Sequence, residues 1–350
     1  MTLALVAALA LAGGAAARIR VPPAYRARVV ARGLNHPTAM AFGPDGRLYV
    51  TENGGAVVAV DPRTRGLSPF LRGLPTPLGL AWHGRTLFVS VAGGIRSVRL
   101  HGDRATAQRT IVRGLPFGRH QQDNVLVGRD GRLYLGSGST CDVCRERDPR
   151  SAAVLSFRLD GAARPSGAAS DARVVAHGLR NPYGLAIQPR TGRLFVSVNG
   201  QDELGDSEPA ESIVVVRRGA SYGWPRCWPS RRLLRLAGSC RGVTPPVAYL
   251  EPHSSADGIV FWGRDLFVAE WCEYDSSRHG RKVVRLRFDR RGRPLARVGT
   301  TFATGFAHPL ALAVDRGGDL LIADWGRGTI YRIRRVRRPP VPPVWRLLGL

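Results

Sequence analysis

PDGRLYV, at residues 44–50, is the first of six copies of one short pattern in this chain. The other copies are HGRTLFV at 83–89, RDGRLYL at 129–135, RTGRLFV at 190–196, WGRDLFV at 262–268 and RGGDLLI at 316–322. Each is a glycine turn followed by an apolar run, which favours a tight hairpin that enters a buried strand. Further apolar segments, such as TAMAFG and AVVAVD, flank each copy. Several short strands repeated every 40 to 70 residues or so predict an all-β, six-bladed β-propeller.

The domain organisation follows from composition. With 350 residues, 44% of them hydrophobic, the chain can bury a large core, and we expect one propeller over 24–335. Residues 1–17 form an apolar run in which Ala15 and Ala17 are spaced for signal-peptidase cleavage, so we expect export to a secreted or periplasmic location. An uncleaved anchor is the alternative, because no basic residue precedes the run. Residues 336–350 form a basic, proline-rich tail.

The five cysteines fit an exported protein with one or two disulfides better than a metal framework. Cys141 and Cys144 form a single C-x-x-C without the second pair that a zinc site needs. Cys227 and Cys240 flank a loop that they could close. The pairing stays open on sequence alone.

The formal net charge of +26 raises the possibility of nucleic-acid binding. However, Lys282 is the only lysine among 52 basic residues, and the arginines are scattered instead of clustering with aromatic side chains. We therefore expect no nucleic-acid partner. Association with an anionic cell surface fits the charge better.

A second position recurs just before the first strand of each unit. Its occupants are His36, Thr76, His120, Asn181, His253 and His308. Equivalent positions of a propeller converge around its axis, so we expect these side chains at one mouth of the central channel. In four copies a proline follows, which predicts an extended start to the innermost strand. The repeat could place these residues as strand caps alone, but half of the eight histidines at one position favours a functional ring.

An acidic loop interrupts this basic protein at 199–206, with the sequence NGQDELGD, and Glu208 and Glu211 follow it. Carboxylate, amide and main-chain oxygens are the ligands of hard cations, so the loop predicts a Ca²⁺ site. A surface loop neutralised by arginines is the alternative.

Five strings resemble the glucose/sorbosone dehydrogenase family, the soluble sugar dehydrogenases that depend on pyrroloquinoline quinone (PQQ). They are GRHQQDN with GSGSTCDVC, GLRNPYGLAIQP, VNGQDELGD and GASYGWPRC. The likeness implies a six-bladed propeller that binds PQQ over the channel mouth, with Ca²⁺ polarising the quinone. It implies that His120 is the general base, which takes the proton of a sugar hydroxyl, and that Arg180 and Asn181 bind the cofactor. A tricarboxylate cofactor suits an arginine fork.

The resemblance also implies a set of calcium ligands. The carbonyls of Gly200 and Gln201 match ligands of the calcium beside the cofactor. Glu211 and Tyr222 match positions at a second, structural calcium.

This chain departs from the family pattern at three positions that orient the base or bind the cofactor. In the last blade His308 occupies the cofactor-facing position at which the family commonly presents an arginine. Ser139 lies near the position of an aspartate that orients the base. The fifth blade has no evident cofactor-binding lysine, although Arg278 could reach inward.

The sequence therefore predicts an exported, PQQ- and calcium-dependent oxidoreductase that oxidises a sugar or polyol hydroxyl and passes electrons to an external acceptor. Two alternatives stay open. In one, His36, His120, His253 and His308 ligate zinc, copper or iron in a hydrolase or lyase. In the other, the propeller is non-catalytic and binds glycans or proteins, since fold alone does not fix activity.

Overall fold

The computed structural model describes residues 18–106, 108–159, 172–272 and 279–336, in which the chain forms 28 strands and no α-helix. The described part therefore contains no helix that could cross a membrane. The expected signal segment, Arg278 and the tail after Val336 lie outside the described residues.

The strands form six blades. The first strand, β1 (Tyr25–Ala31), belongs to the last blade. Blade 1 contains β2 (Pro37–Phe42), β3 (Leu48–Glu52), β4 (Ala56–Val60) and β5 (Leu67–Leu71). Blade 2 contains β6 (Gly79–His83), β7 (Thr86–Val91), β8 (Gly94–His101), the short β9 (Arg104–Ala105) and β10 (Arg109–Val112). Blade 3 contains β11 (Gln122–Val127), β12 (Arg132–Ser137), β13 (Ala153–Arg158) and β14 (Arg173–His177).

Blade 4 contains β15 (Asn181–Ile187), β16 (Leu194–Asn199), β17 (Ala210–Val215) and, after an insertion, β21 (Ala248–Pro252). The insertion carries β18 (Ala220–Ser221), which pairs with β14, and the hairpin of β19 (Cys227–Ser230) and β20 (Arg235–Gly238). Blade 5 contains β22 (Ala256–Trp262), β23 (Asp265–Glu270), β24 (Lys282–Leu286) and β25 (Thr300–Thr304). Blade 6 contains β26 (Pro309–Val314), β27 (Leu320–Asp324) and β28 (Thr329–Arg335), and β1 completes it.

The repeated glycine pattern forms the hairpin between the first two strands of a blade, as the sequence predicts. In blade 1, Gly46 has a φ of 86°, and Gly43 N donates to Arg47 O at 2.9 Å. Alternate residues of β3 then face opposite neighbours. Leu48 and Val50 pack against blade 6, whereas Tyr49 packs against blade 2. The same alternation gives six apolar clusters, one between each pair of adjacent blades.

The ring is closed by strands from opposite ends of the chain. Strand β1 pairs antiparallel with β28, in a register that runs from Tyr25 opposite Arg335 to Ala31 opposite Ile330. The first strands of the six blades, β2, β6, β11, β15, β22 and β26, contact one another in a ring around the central channel. The prediction of a six-bladed propeller is confirmed.

Two disulfides stabilise the long loops of blades 3 and 4. Cys141 bonds to Cys144 between β12 and β13, and Cys227 bonds to Cys240 across the β19–β20 hairpin. The expectation of one or two disulfides is confirmed. Since all four sulfurs are bonded, the C-x-x-C is not a zinc site.

Candidate functional site

The six repeat positions lie where the innermost strands start, around one mouth of the channel. Their backbone differs from expectation in two of the proline-preceding copies. His36 has a φ of 53° and Thr76 a φ of 42°, so both are left-handed and the predicted extended start is wrong there. The turn is held by hydrogen bonds to these carbonyls, from Asn53 N to His36 O at 3.0 Å and from Gln121 Nε2 to Thr76 O at 2.7 Å.

A cavity of about 840 Å³ opens at this mouth. The predicted site residues that line it are His120, Arg180, Asn181, Gly200, Glu211 and His253. Gln201 and Tyr222 instead line a small neighbouring pocket of about 30 Å³ beneath the blade 4 loop. The structure thus gathers most of the predicted base, cofactor and calcium residues around one space.

His120 precedes β11 and is oriented by Ser139. Its Nδ1 lies 3.0 Å from Ser139 Oγ, and its main-chain N–H donates to Ser139 O at 3.0 Å. The Ser139 hydroxyl donates its only hydrogen to Cys141 O at 2.6 Å, so toward His120 it can act only as an acceptor. His120 therefore carries its hydrogen on Nδ1 and its lone pair on Nε2. A neutral serine does the orienting that the family pattern assigns to an aspartate.

The His120 imidazole is strongly biased toward its neutral form. Burial is the main cause that lowers its pKa, to about 3, and the positive charges of Arg180 and Arg119 lower it further. A neutral imidazole with its lone pair on Nε2 can accept a proton from a substrate hydroxyl.

Arg180 lies beside this base in a network of charges that sequence reasoning missed. Its Nη2 donates to Asp142 and, at 2.9 Å, to Asp202 Oδ2. Arg119 Nη2 donates to the same Asp202 oxygen at 2.6 Å. The network joins the disulfide loop of blade 3 to the acidic loop of blade 4. The sequence feature that could have indicated this network is Asp142 in CDVC, a carboxylate residue between two cysteines that constrain its position.

The acidic loop turns inward at Gly200, whose N–H donates to Glu211 Oε2 at 2.7 Å. Burial raises the pKa of Glu211 to about 8, so its ionised form needs a compensating positive charge. A Cβ at Gly200 would overlap the ring of Pro209, which explains the glycine. Carbonyls at 200 and 201 and the Glu211 carboxyl are the oxygen donors that a hard cation would use.

Several buried polar atoms around this site have no hydrogen-bond partner among the described residues. They are Arg180 Nε, Asn181 Oδ1, Gln201 Oε1 and His308 Nδ1. Buried polar groups are normally satisfied, so unsatisfied ones at a cavity mark groups that a ligand would complete.

Tyr222 is held by main-chain contacts. Its hydroxyl donates to Val215 O at 2.5 Å and accepts from Arg217 N at 3.1 Å, which fixes the chain as it leaves β17. These contacts give the Tyr222 hydroxyl a structural role. A calcium site shared with Glu211 stays a prediction.

The histidines of the mouth have unlike partners, which contradicts a metal held by a histidine ring. His253 Nε2 lies 2.9 Å from Gly205 O and 3.0 Å from Glu208 O and supports the acidic loop. Within the described residues, three histidine, cysteine or carboxylate ligand atoms come close together only at Cys141, Cys144 and Glu146, where the sulfurs form a disulfide.

His36 and His308 instead belong to an aromatic wall, defined as these two rings with Trp271 and Trp325. His308 stacks on Trp271 with centroids 4.4 Å apart, and His36 packs on Trp325 at 4.1 Å. Burial, with a smaller effect of Arg281, lowers the pKa of His308. His308 therefore presents no fixed charge to a cofactor, unlike the arginine that the family commonly places there.

Lys282 and Arg281 of blade 5 have different roles. Lys282 pairs with Glu251 of β21 in blade 4 at 2.6 Å and with Glu270 of its own blade at 3.4 Å. Arg281 lies near the mouth, where its Nε donates to Cys272 Sγ at 3.4 Å and its charge acts on His308. Arg281 is thus a blade 5 cation whose charge reaches the aromatic wall.

Comparison with known proteins identifies the family of this chain. Residues 34–296 match the family described as Glucose / Sorbosone dehydrogenase. Quinoprotein glucose dehydrogenase B of Acinetobacter calcoaceticus is 25% identical in an alignment 256 residues long, which covers 57% of this chain and about half (52%) of that protein. Aldose sugar dehydrogenase YliI of Escherichia coli (strain K12) is 24% identical in an alignment 289 residues long, which covers 70% of this chain and 76% of that protein.

A solved structure shows the same fold. The holo form of the pyranose dehydrogenase PQQ domain from Coprinopsis cinerea superposes with a TM-score of 0.79 at 20% identity, covering 91% of this chain and 97% of that one. Because the family pattern matches well over half of the chain, this protein belongs to the glucose/sorbosone dehydrogenase family of sugar oxidoreductases.

Proposed function

We propose that this protein is an exported dehydrogenase that uses PQQ and Ca²⁺ to oxidise a hydroxyl or hemiacetal of a sugar or polyol. The observation that carries the proposal is the contact of His120 Nδ1 with Ser139, at 3.0 Å, beside the cavity. It leaves Nε2 as the acceptor for a substrate proton. Loss of a hydride from carbon requires that the attached hydroxyl be deprotonated in step with it, and this base supplies that function.

The residues around the base fit a cofactor that bears three carboxylates. Arg119 and Arg180 present guanidinium groups at the mouth, and Arg180 Nε is buried without a partner among the described residues. Guanidinium groups bind carboxylates through paired hydrogen bonds. When bound, PQQ supplies the electrophilic carbonyl carbon that accepts the hydride, and Ca²⁺ sharpens its electrophilicity.

The Ca²⁺ that accompanies the cofactor fits the acidic loop. The carbonyls of Gly200 and Gln201 would hold it, and the buried Glu211 carboxyl lies against the Gly200 N–H. A divalent cation there would offset the charge of Glu211, whose ionised form burial disfavours. We infer that cofactor and calcium bind together.

The remaining walls of the cavity bind the substrate and exclude water. Trp271 and Trp325 both line the cavity and present half-buried aromatic surface. Such surface suits the C–H face of a sugar ring, while Arg119 and Asp202 offer polar contacts to its hydroxyls. The mouth is open, which leaves access for an external electron acceptor.

Export is supported by the two disulfides, because such bonds persist in oxidising compartments. We propose a secreted or periplasmic location. The net charge of +26 favours association with an anionic cell surface there.

The test is reconstitution of the purified protein with PQQ and Ca²⁺, followed by dye reduction with a panel of aldoses and polyols. We expect turnover that His120→Ala lowers by about 10²–10⁴-fold. His101→Ala, at the exposed end of β8, is the matched control and should keep full activity. Sugar binding without turnover in the reconstituted wild type would instead favour the non-catalytic propeller.

A further inference from the structure

Inside the channel, just beyond the mouth, lie two buried carboxylates that the proposed mechanism does not use. Asp123 is the second residue of β11 and Asp257 the second residue of β22, and they are 2% and 3% exposed. The main-chain carbonyl of each aspartate accepts a hydrogen bond from a serine hydroxyl on the second strand of the preceding blade. Ser90 donates to Asp123 O, and Ser197 donates to Asp257 O at 2.6 Å. The two residues therefore occupy equivalent positions of blades 3 and 5.

The two carboxyls lie in each other's electrostatic field without a compensating cation. The influences on Asp123 are burial and the charge of Asp257. Those on Asp257 are burial and hydrogen bonds from Asn199 and Ser255. Within the described residues, neither carboxyl has an arginine or lysine partner among these influences. The buried phenol of Tyr183 faces both of them.

Unpartnered oxygens point to a missing ligand. Asp123 Oδ2 is buried and has no hydrogen-bond partner in the described part of the chain. Asn199 is 7% exposed, and its Nδ2 donates to Asp257 Oδ1 at 2.9 Å, while the Oδ1 of the same amide is buried without a partner in the described part of the chain. Buried oxygens of this kind are rare unless a ligand completes them.

We propose that Asp123, Asp257 and Asn199 bind a divalent hard cation, Ca²⁺ in the first instance, inside the channel. Two carboxylates carry the charge that a divalent cation balances, and carboxylate and amide oxygens are the donors that Ca²⁺ prefers. The ligands of this site differ from those of the calcium proposed at Gly200, although Asn199 directly precedes Gly200 and both Asn199 and Asp257 line the same cavity. The proposed ligands lie on β11, β16 and β22 and include no quinone atom. The cation would tie blades 3, 4 and 5 together from the axis.

The competing explanation is that the carboxyls are held neutral by protons. Burial, and then repulsion from Asp257, raises the pKa of Asp123 well above its ordinary value, and burial raises the pKa of Asp257 to about 7. If a cation is bound, replacing Asp123 or Asp257 by asparagine removes a charged ligand. If a proton is retained, the same replacement exchanges one neutral group for another. The two explanations therefore predict different effects of the asparagine variants.

The experiment uses quinone-free protein, stripped with a chelator and desalted, with Ca²⁺ as the only added ligand. We compare the wild type with Asp123→Asn, Asp257→Asn and the double variant, and with Asp61→Asn, an exposed turn residue, as the matched control. Calcium content and thermal midpoint are the readouts. We expect the wild type and the control to bind one more equivalent of calcium than the double variant and to gain a higher midpoint with calcium.

The proposal is overturned if calcium leaves the wild-type midpoint unchanged and the asparagine variants are as stable as the wild type in chelator, because the carboxyls are then neutral. If the variants do not fold, terbium is titrated into wild-type protein and Tyr183→Phe. Saturable emission that falls in Tyr183→Phe supports the site, and no saturable emission overturns it. Since no quinone or sugar is present, failure here is distinguishable from failure of the proposed dehydrogenase activity.

Discussion

Replacement of Ser139 by alanine tests whether the hydroxyl sets the state of the general base. Ser139 is fully buried and its oxygen accepts from His120 Nδ1 while donating to Cys141 O. A neutral hydrogen bond contributes about 1 kcal/mol, which corresponds to roughly a fivefold change in an equilibrium constant. If this bond fixes the hydrogen on Nδ1, its loss changes the ratio of the two His120 tautomers about fivefold and reduces the productive fraction by at most that factor.

We therefore expect kcat of the reconstituted Ser139→Ala enzyme to fall, by at most about fivefold, with KM little changed, because the substrate contacts stay in place. The variant also leaves Cys141 O without its donor, which lowers the free energy of unfolding by about 1–3 kcal/mol. The assay is steady-state dye reduction, paired with denaturant unfolding.

Ser137→Ala provides the matched control. Ser137 is equally buried and ends β12, two residues before Ser139, but it accepts from Gln122 Nε2 at 3.2 Å instead of contacting His120. It should lose a similar amount of stability and keep its kcat. Equal kcat values for both variants and the wild type would refute the orienting role of Ser139.

Three further predictions follow from the site and its disulfide. The pKa of His120 is lowered to about 3 in the folded protein, so below about pH 6.5 the unfolded chain binds a proton at this residue that the folded chain does not. The free energy of unfolding of the wild type should therefore fall relative to that of His120→Gln as the pH drops from about 6.5 toward 3. Histidine NMR should show no protonation of His120 between about pH 5 and 8. Gly200→Ala should force the loop away from Pro209 and weaken calcium-dependent activity, measured as the calcium concentration for half-maximal turnover; an unchanged value would exclude the Gly200 carbonyl as a ligand. Removal of the Cys227–Cys240 bond, whose sequence separation is 13, should lower the free energy of unfolding by about 3 kcal/mol in denaturant titrations, and no loss would mean that the hairpin is ordered without it.

Much of the fold was predictable because a local sequence pattern that repeats in each blade determines it. The glycine of PDGRLYV needs a positive φ, and the run after it alternates between two apolar interfaces, as Leu48 and Tyr49 do. Strand β1 carries no such pattern, since it has no glycine turn of its own. Only its pairing with β28 assigns it to a blade.

The site was predictable in position but not in contacts. A repeat register puts His120, His253 and His308 at strand starts, yet what each one bonds to depends on loops that differ between blades. His253 supports the acidic loop and His308 stacks on Trp271, so only His120 among these three has the environment of a base. The charge network of Arg180 joins loops that lie far apart in sequence, and no local pattern encodes it.

The seam between β1 and β28 has a consequence for how activity arises during folding. Its partners come from opposite ends of the chain, and bringing such distant segments together carries a large loop-closure entropy, so this pairing is expected late in folding. The cavity takes residues from blades on both sides of that seam, including Trp325 of blade 6 and Asn53 after β3. A chain that has not yet joined its ends would therefore hold His120 and its loop but lack a complete cavity, and the unpaired edge of β28 would be open to other chains. Completion of the cavity is thus coupled to closure of the ring.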